Sequence, residues 1–477
     1  MVENKPAMKH SAVLRHCHSG SSALIFSLCL LVLVPVPGFA GDLALSADAE
    51  TDAERGWRHL RQTPYLPPDF DQQVFDNLWR RWPEPLRTEA QNANSEERRQ
   101  LTFSYYGLME SPGHSDNSPP LGYVDTGDGN RVMNCLACHA GKVAGRVIPG
   151  LPNSHFALQS LTEDVRLTKL TMFKKLGHLD LVSLKLPLGT THGTTNAVVF
   201  GVVLGNLRDK DMNVDRSRPE PRQLHHDMDA PPFWNVKKKK SLYADGFAPK
   251  NHRVLMQFML LPKNDRATLI SWEDDFKDIQ AWIESLEAPQ YPFKIVSELV
   301  GRGRVVFEMN CSRCHGTYGS EEKYEQIMVP LEEVGTDPVR LSALNGEHRE
   351  WIRDGWMSRY GKDEVDVDPT GYVAPPLDGI WASAPYFHNG SVPTLWHVLH
   401  STERPVVWKR TEDGYDQKRV GLEVEEFQSL PETAKSAYEQ RSHFDTTRSG
   451  KSAAGHTFPD ALIESDKQSL LEFLKTL

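Results

Sequence analysis

Cys135-Leu136-Ala137-Cys138-His139 and Cys311-Ser312-Arg313-Cys314-His315 decide how the rest of this sequence is read. Cys17 and Cys29 lie in an N-terminal segment with the marks of a cleavable leader, so these four are all the cysteines left to a mature chain. Each thiol sits two residues from a partner, and a histidine follows directly. That is the pattern of covalent c-type haem attachment, in which two thioethers hold the porphyrin edge and the adjacent imidazole reaches the iron from the same side. Paired Cys-x-x-Cys motifs also bind zinc, but zinc does not require His139 and His315 to follow immediately. Two covalently bound haems c are therefore expected, with His139 and His315 as proximal iron ligands.

The same plan surrounds each motif. Gly303-Arg304-Val305-Val306-Phe307-Glu308-Met309-Asn310 leads into Cys311 and places Val306 and Phe307 on one face of a helix, with Met309 read as packing. Ser465-Asp466 offers an N-cap ahead of Leu470, Leu471, Phe473, Leu474 and Leu477, an apolar stripe at helical spacing. Phe276 to Leu286, with Ile279, Trp282 and Ile283, reads as the matching closing helix of a first domain. Ala288-Pro289-Gln290-Tyr291-Pro292 then stops it. The expected organisation is a signal peptide over 1–40, an N-terminal haem domain over 41–292 and a C-terminal haem domain over 293–477. Strand signals are sparse. The stretches 215–232 and 410–448 read as polar loops, the second of them on the surface.

Lys9 and Arg15 precede an apolar run from Ala23 to Val36, and small residues at Gly38 and Ala40 suit cleavage before Gly41. The run is short for a membrane span, which needs about 20 residues. Export to the periplasm is expected, with an uncleaved tether as the alternative and no stable membrane insertion once the leader is removed. The formal charge is −10; removing the net +2 of Lys5, Lys9 and Arg15 against Glu3 leaves −12. Nucleic acid is thereby disfavoured as a partner, and a small basic redox donor protein would be steered favourably.

Pro375-Pro376-Leu377-Asp378-Gly379-Ile380-Trp381-Ala382-Ser383-Ala384-Pro385-Tyr386-Phe387-His388-Asn389-Gly390-Ser391-Val392-Pro393-Thr394-Leu395 carries a family resemblance. Its Ala-Pro-Tyr-x-His-(Asp/Asn)-Gly core resembles the di-haem cytochrome c peroxidase and MauG superfamily, and its fuller form is most similar to the rubber oxygenase branch. Gly455-His456-Thr457-Phe458 before a Leu-rich terminal helix points the same way. The resemblance implies a mainly α fold of two cytochrome c-like haem domains with long loops, the first and last helices crossing. It implies a reactive haem on His139 and an electron-transfer haem on His315. In the peroxidase and MauG branches a methionine or tyrosine after the core motif closes the second iron. Neither occurs here in Trp396-His397-Val398-Leu399-His400-Ser401-Thr402-Glu403. The rubber oxygenase branch implies His456 as that ligand, with His388, His397 and His400 as alternatives, and Gly455 letting the backbone approach the porphyrin.

Distal-pocket candidates come from two loop-like stretches. Gly189-Thr190-Thr191-His192-Gly193-Thr194-Thr195-Asn196 offers His192; Leu224-His225-His226-Asp227 through Pro231-Pro232-Phe233-Trp234-Asn235 offers His225, His226 and Trp234, and His252 is a weaker candidate. A histidine or carboxylate beside the iron would move a proton on bound peroxide, whereas an isolated histidine is more often a structural hydrogen-bonder. Trp234 is either an interhaem electron relay or a haem wall. Lys237 to Lys240 reads as a solvated charged face, with haem propionates as the alternative partner. The function expected is an oxidoreductase acting on hydrogen peroxide or dioxygen. The competing readings are a non-catalytic electron carrier and an oxygenase on an apolar substrate.

Overall fold

Two helix crossings, each made possible by a glycine, frame the fold. In the computed structural model, which describes residues 49–111, 118–217, 224 and 226–477 (backbone only at Glu412 and Asp413), the helix Asp52–Gln62 packs across Glu273–Ser285. A Cβ at Gly56 would fall on the carbonyl of Asp278. The helix Ser297–Asn310 packs in the same way across Glu464–Leu474, where a Cβ at Gly303 would fall on the carbonyl of Ser469. Backbones approach this closely only where no side chain separates them.

The first of these helices starts at a capping box. Thr51 accepts from the Glu54 amide and Glu54 accepts from the Thr51 amide, with Asp52 and Glu54 in the first turn. Its partner, Glu273–Ser285, buries Phe276, Ile279, Trp282 and Ile283, as the apolar spacing anticipates. The terminal helix begins two residues earlier than an N-cap at Ser465 implies. Its N-cap is Ile463, which makes no side-chain cap, and Asp466 instead pairs with Arg302 across the crossing. Val306 and Phe307 are buried as expected, but Met309 is 79% exposed. It lies on the face turned away from the terminal helix.

Helices take 42% of the described residues and strands 14%, with no closed barrel among them, so the fold is mainly α in outline but mixed in detail. Most of the strands are two to four residues long, and some pair across long stretches of chain, as Phe70–Asp71 does with Asn130–Arg131; the longest strand builds a sheet of its own. Val407–Asp416 is the central strand of a three-stranded sheet, flanked by Gly421–Phe427 and His443–Asp445. The expected surface loop over 410–448 is thus a twisted hairpin with a third strand added. Its inner face buries Trp408 stacked on Phe444 at 5.1 Å, while its outer face carries the charges that made the stretch read as loop. The hairpin is tied to the motif after Tyr386: Leu422 donates to the Pro393 carbonyl and Leu395 to that of Val420.

From Glu50 onward the chain forms one compact unit with three apolar clusters. One gathers the first helix pair and includes Leu344, Trp356 and Met357 from the C-terminal half. A second gathers the terminal helix pair and includes Leu151 and Trp234 from the N-terminal half. Leu286 to Val296 connects the halves without regular structure. No helix among the described residues is long and apolar enough to cross a membrane. The leader expected over 1–40, with Cys17 and Cys29, lies outside the described residues.

Candidate haem sites and the bridge between them

Each Cys-x-x-Cys-His is a single helical turn, Leu136–His139 and Ser312–His315. Side-chain amides fix the first. Asn134 accepts from the Leu136 amide and donates to the carbonyls of Leu60 and Leu121, and Asn153 donates to those of Gly107 and Ala137. Burial pushes the Cys135 thiol up to about 11 and that of Cys138 up to about 12, so neither is poised as a thiolate. A neutral thioether suits such surroundings.

Both histidines are oriented by the same device. His139 Nδ1 lies 3.0 Å from the Pro231 carbonyl, and His315 Nδ1 lies 2.9 Å from that of Pro375. A carbonyl only accepts, so Nδ1 carries the proton and Nε2 is left with its lone pair, the tautomer an iron ligand requires. Burial pushes His139 down to about 4 and lowers His315 as well, keeping both imidazoles neutral. Each accepting carbonyl opens a Pro-Pro dipeptide, Pro231-Pro232 and Pro375-Pro376. The Pro-Pro repeat is the sequence signal that marks both straps.

The two proline straps touch. Trp234 Nε1 donates to the Asp378 carbonyl at 2.8 Å, and Asn235 Nδ2 donates to that of Pro376 at 3.0 Å. Phe233 stacks on His139 at 3.9 Å. Trp234, 1% exposed, therefore sits where the strap holding His139 meets the strap holding His315. Lys237 to Lys240 is only in part the solvated face expected, with Lys240 exposed and the others half-buried. Lys237 pairs with Glu287, Lys238 with Glu322 and Asp378, and Lys240 with Glu325, while enclosure pushes Lys239 down to about 8.

The His456 ring faces His315 with 6.2 Å between ring centres and 62° between planes. Two imidazoles on opposite sides of one metal, each bonded at about 2 Å, have centres roughly 6 Å apart, so the pair fits a bis-histidine haem. His456 has φ +48° after Gly455 at +80°; its Nδ1 is buried without a hydrogen-bond partner, and burial pushes it down to about 3. A Cβ at Gly455 would strike the backbone of Gly335 and Thr336, so the close approach is to another strand of chain. Arg404 clamps the turn by donating to the carbonyls of Ala453 and Gly455.

The alternatives to His456 are engaged elsewhere. His397 bonds Thr394 Oγ1, and His400 lies between the Trp396 carbonyl and Glu464. His388 stacks on Tyr372 at 4.3 Å and is pushed down to about 3 by burial. Its neighbour Asn389 donates to the carbonyls of Gly450 and Ser452, so this motif clamps the loop ahead of His456.

The two loops nominated for the distal pocket form one assembly. Asp227 accepts from Thr190 and Thr194 and pairs with Lys451, and Thr194–Thr195 is bridged to Met228–Asp229 as paired strands. Within it, His226 is buried with Nδ1 on the Leu224 carbonyl. His192 lies apart, against Ser160 and the Tyr438 ring. His252 pairs with Glu273 in a structural contact, and His225 lies outside the described residues. A group that sequence reasoning missed is Asp229, two residues before Pro231. Burial raises it well above the carboxylate range, its Oδ1 is buried without a partner, and its amide donates to the His388 carbonyl. Only the acidic run His226-Asp227-Met228-Asp229 hinted at it.

Residues 371–409 match the family described as RoxA-like, cytochrome c-like. This match, taken with the attachment motifs, supports a cytochrome c of RoxA type, carrying haem c and transferring electrons. Two relatives from Sinorhizobium fredii are similar over part of their length. The uncharacterized protein y4iM is 26% identical over 43% of this chain and 51% of its own, and the uncharacterized protein y4iJ is 38% identical over 40% of this chain and 41% of its own. The chain thus spans about half or less of the relatives it matches.

Proposed function

We propose that the chain is a periplasmic di-haem oxidoreductase, with the haem on His139 open to hydrogen peroxide or dioxygen and the haem between His315 and His456 storing and passing electrons. The observation that carries this reading is an asymmetry. His315 is faced by a second imidazole at ligand spacing, whereas Phe233 only stacks flat on the His139 ring and, among the described residues, no second imidazole is brought to His139 at that spacing. An iron with one protein ligand keeps a face for a small oxidant, and a bis-histidine iron does not.

When bound, the haems supply the redox chemistry. The chain's part is to hold His139 and His315 in the ligating tautomer through Pro231 and Pro375. Trp234 fills the junction of the two straps and excludes water between them. Asp229 retains a proton on a buried carboxyl close to the strap of His139, as a donor for a leaving oxygen requires. In this reading the halves on either side of residue 292 are the reactive and the electron-transfer domains, and a small redox donor protein supplies the second.

Resting-state EPR of the haem-loaded protein tests the proposal. One high-spin and one low-spin ferric signal are expected, with peroxide perturbing the high-spin one first. Two low-spin signals, both unmoved by peroxide, would establish a non-catalytic electron carrier instead. A second reading, an oxygenase on an apolar substrate, draws on the helix Ala197–Asn206. Val198, Phe200, Val202 and Val203 are only half-buried there, directly after the His192 loop.

A further inference from the structure

The helix Leu158–Thr171 buries Leu158, Leu161 and Val165 in the core and leaves Leu167 and Leu170 exposed on its outer face. Past its end stands Phe173, 97% exposed and with φ +55°, a conformation costly for an aromatic residue. The short helix His178–Val182 and the turn after it add exposed Leu181 and Leu184. The two segments are fixed to one another. Arg166 donates to the Asp180 carbonyl and to Ser183 Oγ, and Lys169 pairs with Asp180 at 2.6 Å, both of them buried. Five large apolar side chains thus project from one rigid knob, an arrangement that marks an interaction surface.

Basic residues outnumber acidic ones along this segment. Between Arg166 and Leu188 the basic residues are Arg166, Lys169, Lys174, Lys175 and Lys185, and the acidic one is Asp180, buried against Lys169. The segment is net +4 on a chain of −10. Lys174 pairs with Asp71, Lys175 and Lys185 are exposed, and Arg81 donates to Thr171 and to the Leu167 carbonyl at the knob's flank.

We propose that this knob binds the surface of a bilayer containing anionic phospholipid. Phe173 and the four leucines enter the headgroup layer, and the exposed Lys175 and Lys185 face the phosphates. A second copy of the chain docked symmetrically would bring like charges together. A protein groove would have to match side chains that protrude singly, whereas a headgroup layer needs no preformed pocket. The association is peripheral.

Flotation of the full-length, haem-loaded chain with phosphatidylcholine vesicles, with and without phosphatidylglycerol, tests this. The parent should float with the anionic vesicles, less so at high salt. Phe173→Asp with Leu170→Asp should cut the bound fraction about tenfold or more, with the haem spectrum unchanged. Lys175→Glu with Lys185→Glu should lower it at low salt only. The N-terminal apolar run is common to all these chains, so the comparison isolates the knob. Flotation of the apolar double variant equal to the parent's would overturn the proposal. So would a parent that stays in buffer, or a dimer by light scattering that Phe173→Asp converts to monomer without any vesicle binding.

Discussion

His456 is held in a left-handed backbone conformation that a non-glycine residue adopts at a cost, and the surrounding clamp of Arg404 and the Gly455 contact sustains it. Strain of that kind, aimed at a second imidazole, fits a ligand better than a packing residue. His456→Ala should turn the second haem from low to high spin and leave the first unchanged by EPR; a low-spin spectrum identical to the parent's would remove His456 from the iron. Trp234 makes a narrower prediction. Trp234→Phe keeps most of the buried volume but removes the donor to the Asp378 carbonyl. We expect electron transfer between the haems, followed by stopped flow after peroxide addition, to slow by about tenfold or more, a barrier change of about 1.4 kcal/mol, with both spin states retained. An unchanged rate would reduce Trp234 to a wall residue.

At the crossing of Ser297–Asn310 with Glu464–Leu474, two glycines two residues apart provide their own control. A Cβ at Gly303 would overlap the Ser469 carbonyl, whereas one at Gly301 would meet nothing. Gly303→Ala should therefore destabilise by about 1–3 kcal/mol or more, because backbone rather than a flexible side chain must move. Gly301→Ala should be neutral or stabilise by up to about 1 kcal/mol through helix propensity. Denaturant titration of both separates the effects, and equal midpoints would mean that the crossing is looser than described. The polar hairpin over 407–427 illustrates the opposite difficulty. Its charged residues line a solvated face and mask the strand pattern, which Trp408 against Phe444 and the register with Gly421–Phe427 establish.

Across the whole molecule, burial holds several histidines neutral outside the ligand set. His192 and His388 are pushed down to about 3, and His178 and His397 to about 4. Each binds a proton in the unfolded chain near pH 6.5 but not in the folded one. Between that value and their depressed ones the unfolded state binds more protons, and stability falls as pH falls. Asp229, Asp69 and Asp164, all raised by burial, act in the opposite direction, losing stability as pH rises above the carboxylate range. Four imidazoles against these three carboxyls leave a small net effect of the histidines' sign, so the thermal midpoint should drop modestly from about pH 6.5 toward pH 4. A flat profile over that interval would mean that these imidazoles are solvated. Chain order alone carried the attachment motifs, the candidacy of His139 and His315, the closing helices and, by resemblance, the candidacy of His456, because these depend on local spacing and on which side chains stand next to each other. It did not carry the first helix at Asp52–Gln62, whose partner is more than two hundred residues away, nor the contact of the two Pro-Pro straps, nor the burial of the Asp229 carboxyl. Those follow from desolvation and from backbone groups meeting across the fold, and hydrogen bonds to carbonyls leave almost no mark in side-chain identity.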